Sequence, residues 1–297
     1  MLPETRSVPE LGEIFSNAGR WGDDDEKGTL NLITPAHTAR AAALVRSGRV
    51  VAVGHALSTE PTAHKPLAGY HRMLYRQSRD TAADAVMIEC HGYEITHIDA
   101  LAHNALDGRT YNDRTFSDVI TRDGLLFGSV MPLADGIATR GVLLDIARSE
   151  DRAWLERGEE VTAEDLERAE DWAGVKVGSG DALLVRIGLE AREAVTGPQP
   201  PDIRAGLGKS CIEWLYDREV SIFGGDCIDQ MPSGDAYSHP LHAVGIARMG
   251  LVLVDHMAVE ELSAICVAER RWEFFYAVAA LRIAKATGSP VNPLCIF

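Results

Sequence analysis

Residues 90–103 read CHGYEITHIDALAH and carry three of the ten histidines of the chain, with an aspartate between the last two. Side chains alternate between the two faces of an extended strand, so every second residue points the same way. If the segment is extended, one face carries His91, Tyr93, Ile95, His97 and Asp99. Imidazole and carboxylate groups bind zinc, manganese and iron(II), and histidine carries protons near neutral pH. The segment therefore predicts a strand that presents several metal ligands on one face.

A single histidine in a strand is more often a packed or hydrogen-bonded residue than a metal ligand. Here three histidines and Asp99 follow one another at spacings of six, two and four residues. Burying so many polar groups without partners is costly. We therefore favour a metal site with His91, His97 and Asp99 as ligands. Cys90 falls on the opposite face of such a strand, so no thiolate ligand is expected.

The composition limits the classes of partner. The chain has 297 residues, 46% of them hydrophobic and 25% charged, as in ordinary soluble globular proteins. A formal net charge of −15 argues against nucleic acid and against an anionic membrane surface, since both need a basic patch. The N-terminus lacks the pattern of a secretory signal, and five scattered cysteines are typical of reduced thiols in the cytoplasm. We expect a cytoplasmic protein whose partner is a small molecule.

Strand and helix patterns alternate along the chain with no repeat or low-complexity linker, which predicts a single α/β domain over residues 1–297. Residues 1–35 are predicted to form an irregular N-terminal arm, and the polar residues 58–83 a long loop that covers a substrate. Besides the histidine segment, predicted strands are residues 49–57, 141–145, 180–186, 220–226, 251–254 and 274–283. Predicted helices are residues 36–46, 150–172, 207–217, 241–249 and 259–266.

A second group of polar residues lies later in the chain. Residues 226–229 read DCID after a predicted strand, residues 238–242 read SHPLH before a predicted helix, and Asp255 ends another strand. Strand ends and helix starts often carry catalytic groups. We expect His242 and Asp255 to reach the pocket of the first cluster, one as acid or base and the other as support. Alternatively, Asp255 caps the following helix, and His239 only packs against its neighbour.

Together the two groups resemble the metal-dependent cyclase/hydrolase family, which includes bacterial arylformamidase (kynurenine formamidase) and isatin hydrolase. The segments that carry the resemblance are THIDALAH (96–103), DGRTYN (107–112), PLH (240–242), GLVLVD (250–255), GTLNLITP (28–35) and TGSPVNP (287–293). The resemblance implies a β/β/α swivelling-type fold with a mixed sheet and surrounding helices. It also implies a bound zinc or manganese ion and a homodimer or homotetramer.

The same resemblance implies individual roles. His97 and Asp99 correspond to metal ligands, and His103 to the catalytic acid or base beside the metal. His242 matches a histidine that joins a second metal or a proton relay. Asp255 stands where relatives often carry a metal-binding glutamate.

Two positions depart from the family pattern. The usual first ligand is a histidine four residues before the second; here that position is Tyr93, and His91 stands two residues earlier. Asp255 is shorter than glutamate by one methylene. Both departures favour one metal per chain over two. Tyr93, Asp255 and His239 are then candidates to support the first metal's ligands or to hold a second metal.

The predicted function is hydrolysis of a small amide, formamide, cyclic imide, lactam or lactone by metal-activated water, with His103 and His242 moving protons. An iron(II) oxygenase with two histidines and one carboxylate uses a similar ligand pattern, and His239 with Arg248 would suit an oxoacid. The helical patterns after residue 140 disfavour its strand-rich barrel. A third alternative is a metal-free, non-catalytic member of the fold, because Tyr93 stands where the family has its first metal-binding histidine.

Overall fold

The computed structural model describes residues 6–57, 71–76 and 80–297. The strands are β1 (Val50–Ala52), β2 (His71–Arg76), β3 (Ala82–Met87), β4 (His97–Asp99), β5 (Arg109–Thr110), β6 (Arg114–Thr115), β7 (Ile120–Thr121), β8 (Gly124–Leu125), β9 (Ile137–Asp145), β10 (Glu160–Val161), β11 (Ala182–Arg186), β12 (Gly206–Leu207), β13 (Ile222–Gly225), β14 (Val252–Asp255), β15 (Glu273–Val278), β16 (Gly288–Pro290) and β17 (Leu294–Ile296). Nine of them form one mixed sheet in the order β1-β17-β15-β9-β11-β13-β14-β4-β16.

The helices are α1 (Val8–Ile14), α2 (Pro35–Ala42), α3 (Phe116–Val119), α4 (Ile146–Ser149), α5 (Ala163–Ala173), α6 (Leu189–Thr196), α7 (Ser210–Asp217) and α8 (Glu260–Glu269). A π-helix spans His242–Met249, and shorter 3-10 helices span Gly28–Leu32, Tyr111–Asp113 and Met131–Asp135. This mixed sheet with surrounding helices confirms the predicted α/β class. No helix among the described residues combines the length and apolar character of a membrane span.

The centre of the sheet is parallel and buried on both faces. Strands β9, β11, β13 and β14 run parallel, and β4 pairs antiparallel with β14. Leu183 and Val185 of β11 belong to one hydrophobic cluster, which also receives α5, α7 and the π-helix. Ala182 and Leu184 belong to a second cluster, which receives α8. Parallel strands covered on both sides need continuous apolar sequence, which explains the uninterrupted ALLV run of β11.

The N-terminal arm contains regular structure, so the prediction that residues 1–35 are irregular was wrong. Helix α1 begins with a capping box, in which the Ser7 hydroxyl and the Glu10 carboxylate each accept a backbone N–H of the other. The arm also packs against the rest of the protein, since Asn17 Nδ2 donates to the Met249 carbonyl oxygen at 2.8 Å. The Ser-x-x-Glu pattern was the signal in the sequence for this helix.

Part of the long loop predicted over residues 58–83 forms regular structure. Strands β2 and β3 pair as an antiparallel hairpin, with His71 opposite Met87 and Arg76 opposite Ala82. Residues 58–70 and 77–79 lie outside the described residues, as do the side chains of β2. The proposed substrate cover is therefore a prediction about residues that are mostly outside the described part of the chain.

Candidate metal centre

Asp99 lies at the centre of the polar cluster. Its side chain is 1% exposed, and neither carboxylate oxygen accepts a hydrogen bond from any residue in the described part of the chain. Imidazole nitrogens surround these oxygens: His91 Nδ1 at 3.1 Å, His97 Nε2 at 3.5 Å, His242 Nε2 at 3.7 Å and His103 Nε2 at 3.9 Å. Buried carboxylates normally accept hydrogen bonds or bind a cation. The arrangement fits a metal ion between Asp99 and the imidazoles.

Strand β4 sets the positions of His97 and Asp99, which lie two residues apart and therefore share a face. Pairing with β14 places Asp255 opposite His97. On the other side of β4, Gly288 of β16 lies opposite Asp99. The sheet register thus brings Asp255 to the cluster from a distant part of the sequence, and Asp255 does not serve as a helix cap.

His91 reaches Asp99 from a bent segment, and the continuous strand predicted for this part of the chain was wrong. Gly92 adopts a φ of 123°, a conformation that suits glycine and interrupts the extended backbone. The His91 ring stacks on His103, with centroids 3.9 Å apart. A Cβ at Gly288 would lie 2.6 Å from His91 Cε1, so the missing side chain leaves space for this ring.

The bend turns Tyr93 toward a different wall of the site. The Tyr93 hydroxyl lies 2.8 Å from His239 Nε2 and 3.3 Å from Met231 Sδ. The guanidinium of Arg204 stacks on the Tyr93 ring, 4.4 Å from the ring centre. Tyr93 and His239 therefore form a pair beside the cluster, together with Arg204, which the sequence analysis did not select.

A backbone contact fixes the protonation of His97. Its Nδ1 lies 2.8 Å from the carbonyl oxygen of Ile95. A carbonyl only accepts hydrogen bonds, so Nδ1 carries the proton and Nε2 presents a lone pair. This lone pair points to the Asp99 carboxylate, 3.5 Å away. Two electron-rich groups at this distance are stabilised by a cation between them.

His242 is held in the same way by a carboxylate. Asp229 Oδ2 lies 2.5 Å from His242 Nδ1, and Asp229 Oδ1 accepts the backbone N–H of Leu241 at 2.6 Å. His242 Nε2 then lies 3.2 Å from Asp255 Oδ2. Sequence reasoning did not select Asp229, although its place after β13 in the DCID segment was a usable signal.

The electrostatics of the cluster favour positive charge. Burial lowers the pKa of His91, but Asp99 and Cys90 act against it and raise this pKa to about 10. Burial likewise opposes the protonation of His242, yet Asp255 and Asp229 raise its pKa well above the usual value. Without a metal ion, protonated imidazoles would therefore balance the negative charge of the carboxylates.

Two groups of side chains have ligand atoms close enough to share one ion. The first is His91, His97 and Asp99, and the second is Asp99, His242 and Asp255; within each group the ligand atoms lie within 4.8 Å of one another. Asp99 belongs to both. The predicted first-ligand substitute, His91, is thus placed with His97, whereas the Tyr93 hydroxyl contacts His239.

An open cleft of about 250 Å³ gives access to the cluster. It is lined by His91, Gly92, Tyr93, His97, His103, Asn104, His239, His242 and Asp255. Every residue predicted for the site except the fully buried Asp99 therefore lines one cleft, which has room for a small molecule.

Comparisons with known proteins agree with this architecture. A crystal structure described as a novel cyclase is 25% identical, covers 95% of this chain and 99% of its own, and superposes with a TM-score of 0.84. Isatin hydrolase A from Ralstonia solanacearum is 20% identical, with 88% and 97% coverage and a TM-score of 0.59. A predicted metal-dependent hydrolase from Bacillus stearothermophilus is 14% identical, with 83% and 97% coverage and a TM-score of 0.54.

The comparison with curated proteins gave no match. The family model described as putative cyclase matches residues 52–230, which is more than half of the chain and includes the segment with His91, His97 and Asp99. The match confirms the resemblance drawn from the sequence motifs. The chain belongs to the putative cyclase family.

Proposed function

We propose that this protein is a metal-dependent hydrolase that cleaves an acyl C–N or C–O bond in a small amide, formamide, cyclic imide, lactam or lactone. The observation that carries the proposal is the buried Asp99 carboxylate, which accepts no hydrogen bond from the described residues and faces four imidazoles. Isatin hydrolases and proteins described as metal-dependent hydrolases share the fold, which supports the same class of reaction.

We propose that His91, His97 and Asp99 hold one zinc or manganese ion, since both metals accept nitrogen and oxygen ligands. Such an ion would polarise the substrate carbonyl and make a water molecule more acidic. The protein supplies the proton transfer. His103 lines the cleft beside Asp99, where its imidazole accepts a proton from the attacking water at Nε2 and returns it to the leaving group.

His242 supports this proton transfer from the other side of Asp99. Its Nδ1 is held by Asp229, so the ring keeps a fixed orientation with Nε2 directed to Asp255 and Asp99. A carboxylate that orients an imidazole in this way also increases its basicity. His242 therefore moves or stores a proton near the reacting group, with Asp255 as its partner.

Metal content tests the proposal directly. We would measure metals by plasma mass spectrometry on untagged protein purified without chelator, and compare it with His97→Ala. We expect about one zinc or manganese per chain, lost in the variant, together with hydrolysis of cyclic amides, formamides or lactones. His37→Ala, in the first turn of α2, is the control and should retain the metal. If the protein binds no added metal, the proposal is refuted, and the chain is then better interpreted as a non-catalytic binding protein.

The first ligand group also has the two-histidine, one-carboxylate composition of iron(II) oxygenases. The same measurement separates this second candidate from the hydrolase. Stoichiometric iron, with oxygen consumption that depends on a 2-oxoacid, would favour the oxygenase. The nine-stranded mixed sheet supports the hydrolase instead.

A further inference from the structure

Arg204 is a partly buried cation for which the described residues supply no ion pair. Its Nη1 is buried and has no hydrogen-bond partner in the described part of the chain, where no carboxylate forms an ion pair with its guanidinium either. The segment is held in place by the backbone, since the Arg204 N–H donates to the Met231 carbonyl oxygen at 2.8 Å. The observed side-chain contact is the stacking on Tyr93.

An arginine in this state is costly. Guanidinium stays protonated at physiological pH, so it cannot escape burial by losing its charge. Stacking on an aromatic ring offsets only part of the penalty for burying an ion. The remaining penalty is relieved when an anion enters and accepts a hydrogen bond from Nη1.

Three acidic residues line the cavity around Arg204, and none of them forms an ion pair with it; Asp255 Oδ2 lies 3.2 Å from His242 Nε2. Asp226 accepts the backbone N–H groups of Ile187, Gly188 and Leu189 at 2.8–2.9 Å. Asp229 orients His242, as described above. These carboxylates therefore attract Arg204 at longer range but do not pair with it.

The thiol of Cys227 lines the same cavity and is not a counter-charge either. Burial raises its pKa well above the usual value, so the thiol stays neutral. Among the described residues, then, no group is paired with Arg204, and an anionic ligand would find its guanidinium available.

The position of Arg204 connects it to the metal centre. A narrow cavity of about 30 Å³ is lined by Arg204 together with Tyr93, His239, His242 and Asp255. The last four residues also line the open cleft beside the histidine cluster. The cavity has room for about one carboxylate group, because a single water needs about 10–15 Å³ by the same kind of measure. A substrate in the cleft can thus extend an anionic group to Arg204.

We propose that Arg204 binds a carboxylate of the substrate, so that the protein acts on amides, imides or lactones that carry a carboxylate group. The claim about the reaction rests on the proposed hydrolase function. The binding of a carboxylate by Arg204 does not depend on that function. Arg204 is a positioning and specificity residue: it orients the substrate and selects its charge, while the histidine cluster carries the chemistry. Planar guanidinium is well suited to a carboxylate.

Binding of a matched pair of probes tests the assignment without turnover. We would titrate chelator-treated protein with benzoate and with benzamide, which share size and shape but differ in charge, using calorimetry. The wild type should bind benzoate at least tenfold more tightly. Arg204→Gln should reduce this preference to less than about twofold, and Arg204→Lys should retain part of it. Arg157→Gln is the control, because Arg157 is close in space to Ile203 and already pairs with Asp202.

Three results would overturn the assignment. The first is a wild type with no preference for benzoate, and the second is an Arg204→Gln variant that keeps the full preference. The third is inorganic phosphate that binds as tightly as benzoate, which would indicate a site for free inorganic anions. Thermal stability gives an independent check: Arg204→Met should keep or raise Tm, since it removes an unpaired buried charge, whereas a drop of more than about 5 °C would indicate a structural residue.

Kinetics separates this inference from the proposed function. With a hydrolysed substrate that carries a carboxylate, Arg204→Gln should raise KM more than tenfold and change kcat less. With its uncharged amide analogue, KM should not change. Hydrolysis without discrimination between the two substrates would overturn the inference alone. A carboxylate preference that depends on Arg204, in a protein without hydrolytic activity, would overturn the proposed function alone.

Discussion

His91 and Tyr93 show how a single glycine decides which side chain joins the metal centre. In a regular strand both would point the same way as His97. Gly92, with its φ of 123°, bends the backbone between them. His91 then lies 3.1 Å from Asp99, while Tyr93 contacts His239. The backbone therefore places His91, and not Tyr93, beside Asp99 as a candidate ligand.

This arrangement predicts different effects for two neighbouring substitutions. His91→Ala should lower the metal affinity at least tenfold, because it removes one of three proposed ligands. Tyr93→Phe should leave metal binding within about twofold, since the hydroxyl contacts His239 and Met231 and not Asp99. Titration of chelator-treated protein with zinc, followed by calorimetry, measures both. Equal losses in the two variants would contradict the assignment of His91.

Among the elements, the N-terminal arm supports the strand that carries Asp255. Thr29 N–H donates to the Gly250 carbonyl oxygen at 2.9 Å, and Gly250 immediately precedes the segment that enters β14. Gly28 packs directly against this backbone, and a Cβ there would lie 2.1 Å from the Gly250 oxygen. Gly28 also adopts a φ of 57°, which disfavours other residues. The close contact therefore requires glycine.

Gly28→Ala should reduce the free energy of unfolding by at least about 2 kcal/mol, because it combines an unfavourable backbone conformation with a clash. Gly48→Ala is the matched control: Gly48 has a φ of 71°, but nothing lies within 4 Å of the added Cβ. It should cost only about 1–2 kcal/mol. Denaturant unfolding of the three proteins checks the difference. A smaller loss at Gly28 than at Gly48 would show that the arm is loosely attached.

For the protein as a whole, the proposed metal ion would also be a source of stability. Helices and strands from distant parts of the chain meet at Asp99, where several carboxylates share a small buried volume. A ligand that binds the folded state and not the unfolded chain stabilises the fold, by about 2.7 kcal/mol at a concentration of 100 Kd. The proposed ion would therefore hold β4, β14 and the π-helix together.

Chelation should accordingly lower Tm by several degrees, and added zinc or manganese should restore it. His97→Ala should melt at the temperature of the chelated wild type and respond to neither treatment. Differential scanning calorimetry provides the measurement. A wild-type Tm that does not change with chelator would contradict a stabilising metal. The assembly as a homodimer or homotetramer stays a prediction that light scattering can test.

The sequence by itself determined the features that depend on local pattern. Period-two alternation placed His97 and Asp99 on one face, and continuous apolar runs predicted the buried strands of an α/β fold. Spacing and motif identified His103, His242 and Asp255 as candidates. These features can be predicted without the tertiary structure because each depends on residues that are close together in the chain.

Only the tertiary structure decided which of these side chains meet. Asp255 faces His97 through the register of β14 with β4, and Asp229 reaches His242 across a loop. Arg204 belongs to no motif, and the role proposed for it rests on a buried Nη1 that has no partner among the described residues. Such contacts join residues that are far apart in sequence, and the cost or benefit of burying a charge depends on all the groups around it.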